Sequence, residues 1–195
     1  MGKGSSCVTP KMEKELLSEL AEILSKGIEG EVAEFGVYNA GSAIQMWEHT
    51  KNSGKALHLF DTFEGLPEIT SKDIPDNPSP SICKGGLCAS KGAADRIRQW
   101  NPPPIVHVGL FQEIDKPDQI KYCYVHLDCD LYESYVAAFD YFYPRLSPGG
   151  SIVIDDYELT ETPGCVLATD EFCQKFGIVP FKSPITRTVI IRKDP

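Results

Sequence analysis

The sequence predicts an α/β fold: a mostly parallel sheet with an antiparallel hairpin at its C-terminal edge. Three observations carry this. Short apolar runs alternate with helix-length segments, the pattern of strands joined by crossover helices. Two of those runs end in acids and are separated by a single helix-length segment, the signature of a parallel strand, helix, strand unit. The last two runs, by contrast, are joined only by a short turn containing Pro184, which suits an antiparallel pair.

Taken in order, residues 11–26 place Leu16, Leu17, Leu20, Ile23 and Leu24 at helical spacing opposite charged residues, an amphipathic leading helix. Residues 32–37 form the first strand and lead into a helix at 42–51. The second strand is 56–60. A helix at 91–100 precedes the strand 105–108, and the strand 122–127 precedes the helix 131–145. A strand at 151–154, a helix at 165–176, and the hairpin runs 178–181 and 188–191 complete the chain. Residues 63–89 break the rhythm, with Pro67, Pro75, Pro78 and Pro80 among acids and small residues. Too long for an ordinary connection, this stretch reads as a lid or a flexible insertion.

The 195 residues suit one domain with a real core. A formal net charge of -9 opposes binding to a nucleic-acid backbone or an anionic membrane, both of which call for clustered Lys and Arg. No stretch approaches the ~20 apolar residues of a membrane span, and the polar residues 1–6 lack the apolar core of a secretory signal. A cytoplasmic location is expected. Seven cysteines are an odd number, and Cys123 and Cys129 fall in or beside predicted buried strands, so free thiols are expected. Cys83 and Cys88 bracket four loop residues and are the pair to watch for a disulfide or half a metal clip, although no further zinc ligands lie nearby.

The acids that follow the strands carry the chemistry. Asp128 follows the 122–127 run, and Asp155 and Asp156 follow 151–154. A right-handed crossover makes these strands parallel, so the acids emerge at one sheet edge, with neighbouring strands only about 4.8 Å apart. Carboxylates this close raise one another's pKa unless a cation lies among them. An all-oxygen donor set suits magnesium, manganese or calcium rather than zinc. Asp128, Asp155 and Asp156 are therefore the candidate metal ligands; acids at strand ends also cap helices or face solvent. Asp130 fits the capping role, since Asp130 and Glu133 form a capping-box pattern at the start of the 131–145 helix.

At the end of the first strand, Glu34-Phe35-Gly36-Val37-Tyr38-Asn39-Ala40-Gly41-Ser42 turns into a helix. Glycines there let backbone approach a ligand, and the helix start offers free amides, although a purely structural tight turn would also use Gly36 and Gly41. Tyr38 occupies the second glycine position of the dinucleotide fingerprint, which disfavours a nicotinamide oxidoreductase. Asp61, ending the second strand, is placed to accept both hydroxyls of a ribose, and Glu34 to face an ammonium group. A ligand that joins ribose, amino acid and a positive sulfur is S-adenosylmethionine.

With these motifs in order, the chain resembles the macrocin O-methyltransferase family of S-adenosylmethionine-dependent enzymes, whose members methylate sugar hydroxyls of macrolide and aminocoumarin antibiotics. The resemblance runs from about residue 31 to 176. It rests on Glu34-Phe35-Gly36-Val37, Phe60-Asp61-Thr62-Phe63-Glu64-Gly65-Leu66-Pro67, Gly109-Leu110-Phe111, Leu127-Asp128-Cys129-Asp130-Leu131-Tyr132-Glu133-Ser134, and Pro148-Gly149-Gly150 through Asp155-Asp156-Tyr157. It implies a class I methyltransferase, Rossmann-like fold with seven strands, the last antiparallel. It also implies a cofactor site drawn from Glu34, Gly36, Val37, Gly41, Ser42, Asp61, Thr62 and Phe63. A divalent ion, usually magnesium, would be held by Asp128, Asp155 and Asp156; it binds adjacent substrate hydroxyls and lowers the pKa of the attacking one. Asp128 would be the catalytic base.

Two departures qualify this. Some members use a histidine between the second and third strands as base, and residues 62–106 contain none. His126 shares a strand face with Asp128 and is the substitute, or else a packed strand histidine. Little chain precedes the first strand, implying a smaller or more open acceptor site, or one completed by another subunit. His49, His58 and His107 read as structural or solvated, while Tyr132 and Tyr157 either line the acceptor pocket or pack in the core. The expected activity is O-methylation of a hydroxylated small molecule, sugar-like or a vicinal diol. The alternative is a non-catalytic S-adenosylmethionine-binding protein of the same fold. A homodimer is expected from the apolar stripe of the leading helix.

Overall fold

The computed structural model describes residues 8–75, 79–157 and 160–194; the polar start at 1–6 and Pro78 lie outside them. The chain opens with helix α1 (Pro10–Ser25), whose first turn is capped by the Thr9 hydroxyl accepting from the Met12 amide. Strand β1 (Glu31–Phe35), helix α2 (Gly41–Thr50) and strand β2 (Leu57–Asp61) follow. After the long segment come helix α3 (Ala93–Arg98), strands β3 (Ile105–Val108) and β4 (Tyr122–Leu127), helix α4 (Tyr132–Arg145), strand β5 (Leu146–Ile154), helix α5 (Pro163–Phe176) and strands β6 (Phe181–Lys182) and β7 (Val189–Arg192).

The seven strands form one sheet in the order β3-β2-β1-β4-β5-β7-β6. The first five are parallel, β7 runs antiparallel to β5, and β6 pairs antiparallel with β7. This is the α/β, Rossmann-like architecture expected, with its antiparallel edge hairpin. The strands are near-continuous apolar runs because both faces are covered. On one face Leu16, Leu20 and Ile23 of α1 and Ala43 and Met46 of α2 pack against Val32, Leu59 and Val153. On the other, Tyr135, Phe139 and Phe142 of α4 and Phe172 of α5 cover Val125, Ile152 and Ile191.

The α1 stripe is thus covered by the chain's own sheet. Glu19 on the same helix is buried too; it pairs with Arg192 at 2.6 Å and accepts from the Ser151 hydroxyl at 2.5 Å. Both clasp α1 to β5 and β7.

Beyond shifts of one or two residues at other element ends, three features differ from expectation. Strand β5 begins at Leu146 rather than 151 because a register shift against β4 absorbs Pro148-Gly149-Gly150, with Gly149 at φ 78. The Gly149 amide and Gly150 carbonyl then pair with Lys193. Strand β6 keeps only two residues, since Pro180 just before it has no amide to donate. The capping box at Asp130 is absent. Helix α4 starts at Tyr132 with no side-chain cap of its own, and its Tyr132 amide donates instead to Asp73 Oδ1 at 2.6 Å.

Asp73 explains the long segment. It is 2 % exposed, sits at the end of a single 3-10 turn (Ser71–Asp73), and its Oδ2 also accepts the Thr70 amide and hydroxyl at 2.8 and 2.7 Å. Lys72 lies 3.4 Å over the Tyr132 ring, and the Tyr132 hydroxyl donates to Glu171 on α5. The described part of the segment is strapped to the starts of α4 and α5. A hairpin-like contact between Leu66 and Gly85-Gly86 closes it on itself. Cys83 and Cys88 are free, exposed thiols, as the other described cysteines are free.

Candidate active site

Strands β1, β2, β4 and β5 all end at one rim, and a cavity of about 340 Å³ opens there. Parallel sheets place ligands at this rim, where the chain leaves the sheet in opposite directions from β1 and β4. The fold brings Gly36, Val37, Gly41, Ser42, Asp61 and Thr62 into the cavity wall. Asp128 and Asp156 join them, and Asp155 lies directly beside.

The geometry refines several assignments. Asp61 Oδ2 accepts the amides of Val37 and Tyr38 at 2.6 and 2.8 Å, and Oδ1 accepts that of Phe63 at 2.6 Å. The carboxylate therefore first ties the β1 turn to the β2 end, and only its remaining lone pairs face the cavity. Gly36, at φ 94, is required by its own chain: a Cβ there would lie 1.7 Å from the Asp128 carbonyl oxygen. That packing locks the ends of β1 and β4 together. Ala40, at φ 65, leaves α2 without a side-chain cap, so the helix start at Gly41 and Ser42 presents free amides at the cavity wall.

Two expected cofactor residues are elsewhere. Glu34 does not face a ligand: it is 0 % exposed within β1, and its Oε1 lies 2.9 Å from His126 Nδ1 on the adjacent strand. Phe63, at φ 57, is half-buried against the core cluster that includes α1 and α2 residues, and it is its backbone amide that serves the site, through Asp61. His126, fully buried against Glu34, is sealed from the cavity. Opposing effects act on it: burial disfavours its charge, while Glu34, Asp155 and Asp156 more than offset this and raise its pKa.

Asp128, Asp155 and Asp156 converge, each offering an oxygen within 4.8 Å of the others. Asp156 Oδ2 also accepts from the Tyr135 hydroxyl at 3.1 Å and the Asp130 amide at 3.3 Å. Burial pushes the Asp155 carboxyl up to about 6, with Asp156 adding to the rise and His126 and Arg187 opposing it. Asp128 is pushed well above the usual carboxylate range by burial and then by Asp156 and Asp155. Three carboxylates gathered where their own charge is disfavoured fit a cation, and their hard oxygens fit magnesium, manganese or calcium. The backbone amides at the α2 start and the lone pairs of Asp61 fit a ligand carrying a carboxylate and a ribose.

Three contributors had little sequence signal. Asp130, at φ 59, lines the cavity instead of capping a helix; its left-handed backbone follows from the tight turn that donates its amide to Asp156. The long segment supplies an apolar wall of Leu66, Ile82 and Leu87. Arg187, just before β7, donates from Nε to the Asp155 carbonyl at 3.1 Å and holds its guanidinium 3.7 Å from Asp155 Oδ2. Only the insertion of β7 beside β5 puts it there. Among the described residues no helix is long and apolar enough to cross a membrane.

Comparison with known proteins agrees with this architecture. Over 166 residues the chain is 26 % identical to the 8-demethyl-8-(2,3-dimethoxy-alpha-L-rhamnosyl)-tetracenomycin-C 4'-O-methyltransferase of Streptomyces olivaceus, covering 80 % of this chain and 62 % of that protein. It spans 62–65 % of the length of the curated relatives it matches. In structure it superimposes on the O-methyltransferase NovP with a TM-score of 0.79 at 21 % identity, over 97 % of this chain and 82 % of that one. The O-methyltransferase TomG from Streptomyces achromogenes, involved in tomaymycin synthesis and solved in complex with SAM, superimposes with a TM-score of 0.57 at 13 % identity, over 96 % and 82 % of the two chains. The family described as Macrocin-O-methyltransferase (TylF) matches residues 4–84 and 106–190, well over half of the sequence, and the chain therefore belongs to the macrocin O-methyltransferase family.

Proposed function

We propose that this protein is an S-adenosylmethionine-dependent O-methyltransferase that acts on a hydroxyl of a small, sugar-like or vicinal-diol acceptor held on a divalent metal. The observation that carries it is the convergence of Asp128, Asp155 and Asp156 in the same cavity as the α2 start and Asp61. Membership of a methyltransferase family and the fold shared with a SAM-bound enzyme support the cofactor. Magnesium, or manganese or calcium, held by the three aspartates would supply Lewis acidity to a bound hydroxyl.

The chain's own residues do the rest. The amides at Gly41 and Ser42 and the carboxylate of Asp61 orient the cofactor. Leu66, Ile82 and Leu87 exclude water from above. Asp128 is the member of the trio that is half-buried and lines the cavity, so it takes the hydroxyl proton. His126 cannot, being closed off behind Glu34.

The acceptor is read as an uncharged or cationic small molecule rather than nucleic acid or a membrane, in keeping with the net charge of -9. The six free thiols among the described residues suit a reducing, cytoplasmic setting.

Calorimetric titration of S-adenosylhomocysteine, with NAD as control, tests the reading in magnesium and again in chelator. The expected result is binding in both buffers with NAD inert, and loss of methyl transfer in chelator or in Asp155→Ala by at least about a hundredfold. Absence of S-adenosylhomocysteine binding in either buffer would overturn the cofactor assignment. Full turnover in the metal-stripped protein would overturn the metal.

A further inference from the structure

We propose that Arg187 is a tethered counter-ion that competes with the divalent metal for Asp155 and so sets the metal affinity of the site. This rests on the metal reading above and extends it to a residue outside the ligand set.

Arg187 is the one basic side chain among the described residues lining the cavity, where it meets Asp61, Asp128, Asp130, Asp156 and Glu161. Its side chain is 24 % exposed, so its charge is only partly screened by water. At 3.7 Å from Asp155 Oδ2 it is close enough to offset that carboxylate's charge, yet too far for a good hydrogen bond. A metal entering between Asp128, Asp155 and Asp156 meets a fixed positive charge at its own doorstep.

The charge is fixed because the turn that carries it is built independently of the acids. Ser183 Oγ accepts the amides of Ile185 and Thr186, both at 3.2 Å, and the Ser183 amide donates to the Thr188 carbonyl at 3.0 Å. The hydroxyls of Ser183 and Thr186 both donate to Glu15 on α1, which clamps the turn from outside. Arg187 Nε is anchored by the Asp155 carbonyl, not by its carboxylate. When a metal takes that carboxylate, the guanidinium stays within a few ångströms, and the like-charge repulsion weakens binding.

The test is calorimetric titration of Mn²⁺ into the whole protein at constant pH and ionic strength, for wild type, Arg187→Gln and Arg187→Lys. Removing the charge is expected to tighten Mn²⁺ binding tenfold or more in Arg187→Gln. Arg187→Lys, which keeps the charge but loses the planar fork, is expected to stay within about threefold of wild type. An unchanged or weaker affinity in Arg187→Gln overturns the proposal and makes Arg187 a positioning residue for Asp155. If Arg187→Gln does not fold, Arg187→Met decides by the same criterion: tenfold or more tightening supports the charge role, and an unchanged or weaker affinity overturns it. Failure of the wild type itself to bind Mn²⁺ is a separate result that removes the metal reading.

Discussion

At the level of single residues, the cavity rim is held by atoms that do double duty. Gly36 has no room for a side chain, because the Asp128 carbonyl occupies the place of its Cβ. Gly36→Ala would force that carbonyl away while straining a backbone at φ 94, and should destabilise the fold by about 2–4 kcal/mol, read by urea denaturation. A loss below about 1 kcal/mol would mean that the β1 and β4 ends are not locked together as described. The aspartate trio was legible in the sequence because each acid directly follows an apolar run, and parallel strands in register bring such positions together. Glu34 and Phe63 were not legible as they stand. Adjacency in sequence to a glycine turn or to Asp61 does not tell which way a side chain points, and here one faces a buried histidine and the other the core. The sequence leaves Arg187 unmarked, since its importance arises only from which strand lies beside β5.

Among the elements, the start of α4 shows how a helix can be finished by a distant part of the chain. Asp73 accepts the Tyr132 amide across 59 residues and binds its own turn through Thr70. Gly164 leaves the space it needs, since a Cβ there would come within 2.2 Å of Asp73 Oδ1. Asp73→Ala removes the helix cap and the loop anchor together and should cost about 1–3 kcal/mol in thermal denaturation. Proteolysis within residues 63–89 should become faster at temperatures where the rest of the fold persists, and unchanged cleavage would count against the anchor. The apolar periodicity predicted every helix and strand that buries a continuous face. It could not predict this cap, because a nearby Asp130–Glu133 pattern offered a local answer, and a local pattern carries no record of a competing partner far away. The start of β5 was hidden for a related reason: Pro-Gly-Gly reads as a turn unless the neighbouring strand is known to slip past it.

For the whole molecule, a buried histidine set against a half-buried one couples stability to pH. His58 Nδ1 lies 3.1 Å from His107 Nε2, and burial beside that second imidazole lowers the His58 pKa to about 4. An unfolded chain binds that proton near pH 6.5, so between about 6.5 and 4 the unfolded state holds more protons than the folded one. Stability from this group is complete above the upper value and is lost as pH falls. Asp155, whose folded pKa is raised to about 6, contributes with the opposite sign, so the comparison must be a difference. Relative to His58→Gln, the wild type should lose about 2 kcal/mol between pH 7 and pH 5 in urea denaturation. A constant difference across that range would show that His58 titrates alike in both states. The sheet's strand order has one more consequence. Although β7 is the last strand in the chain, it lies between β5 and β6. A ribosome delivers β1 to β5 first, so the nascent protein carries β5 as an open edge while some forty residues are still being made, and an open edge invites pairing with other chains. The same late strand brings Arg187 with it, so the acidic rim is assembled in the growing polypeptide before the charge that faces it arrives.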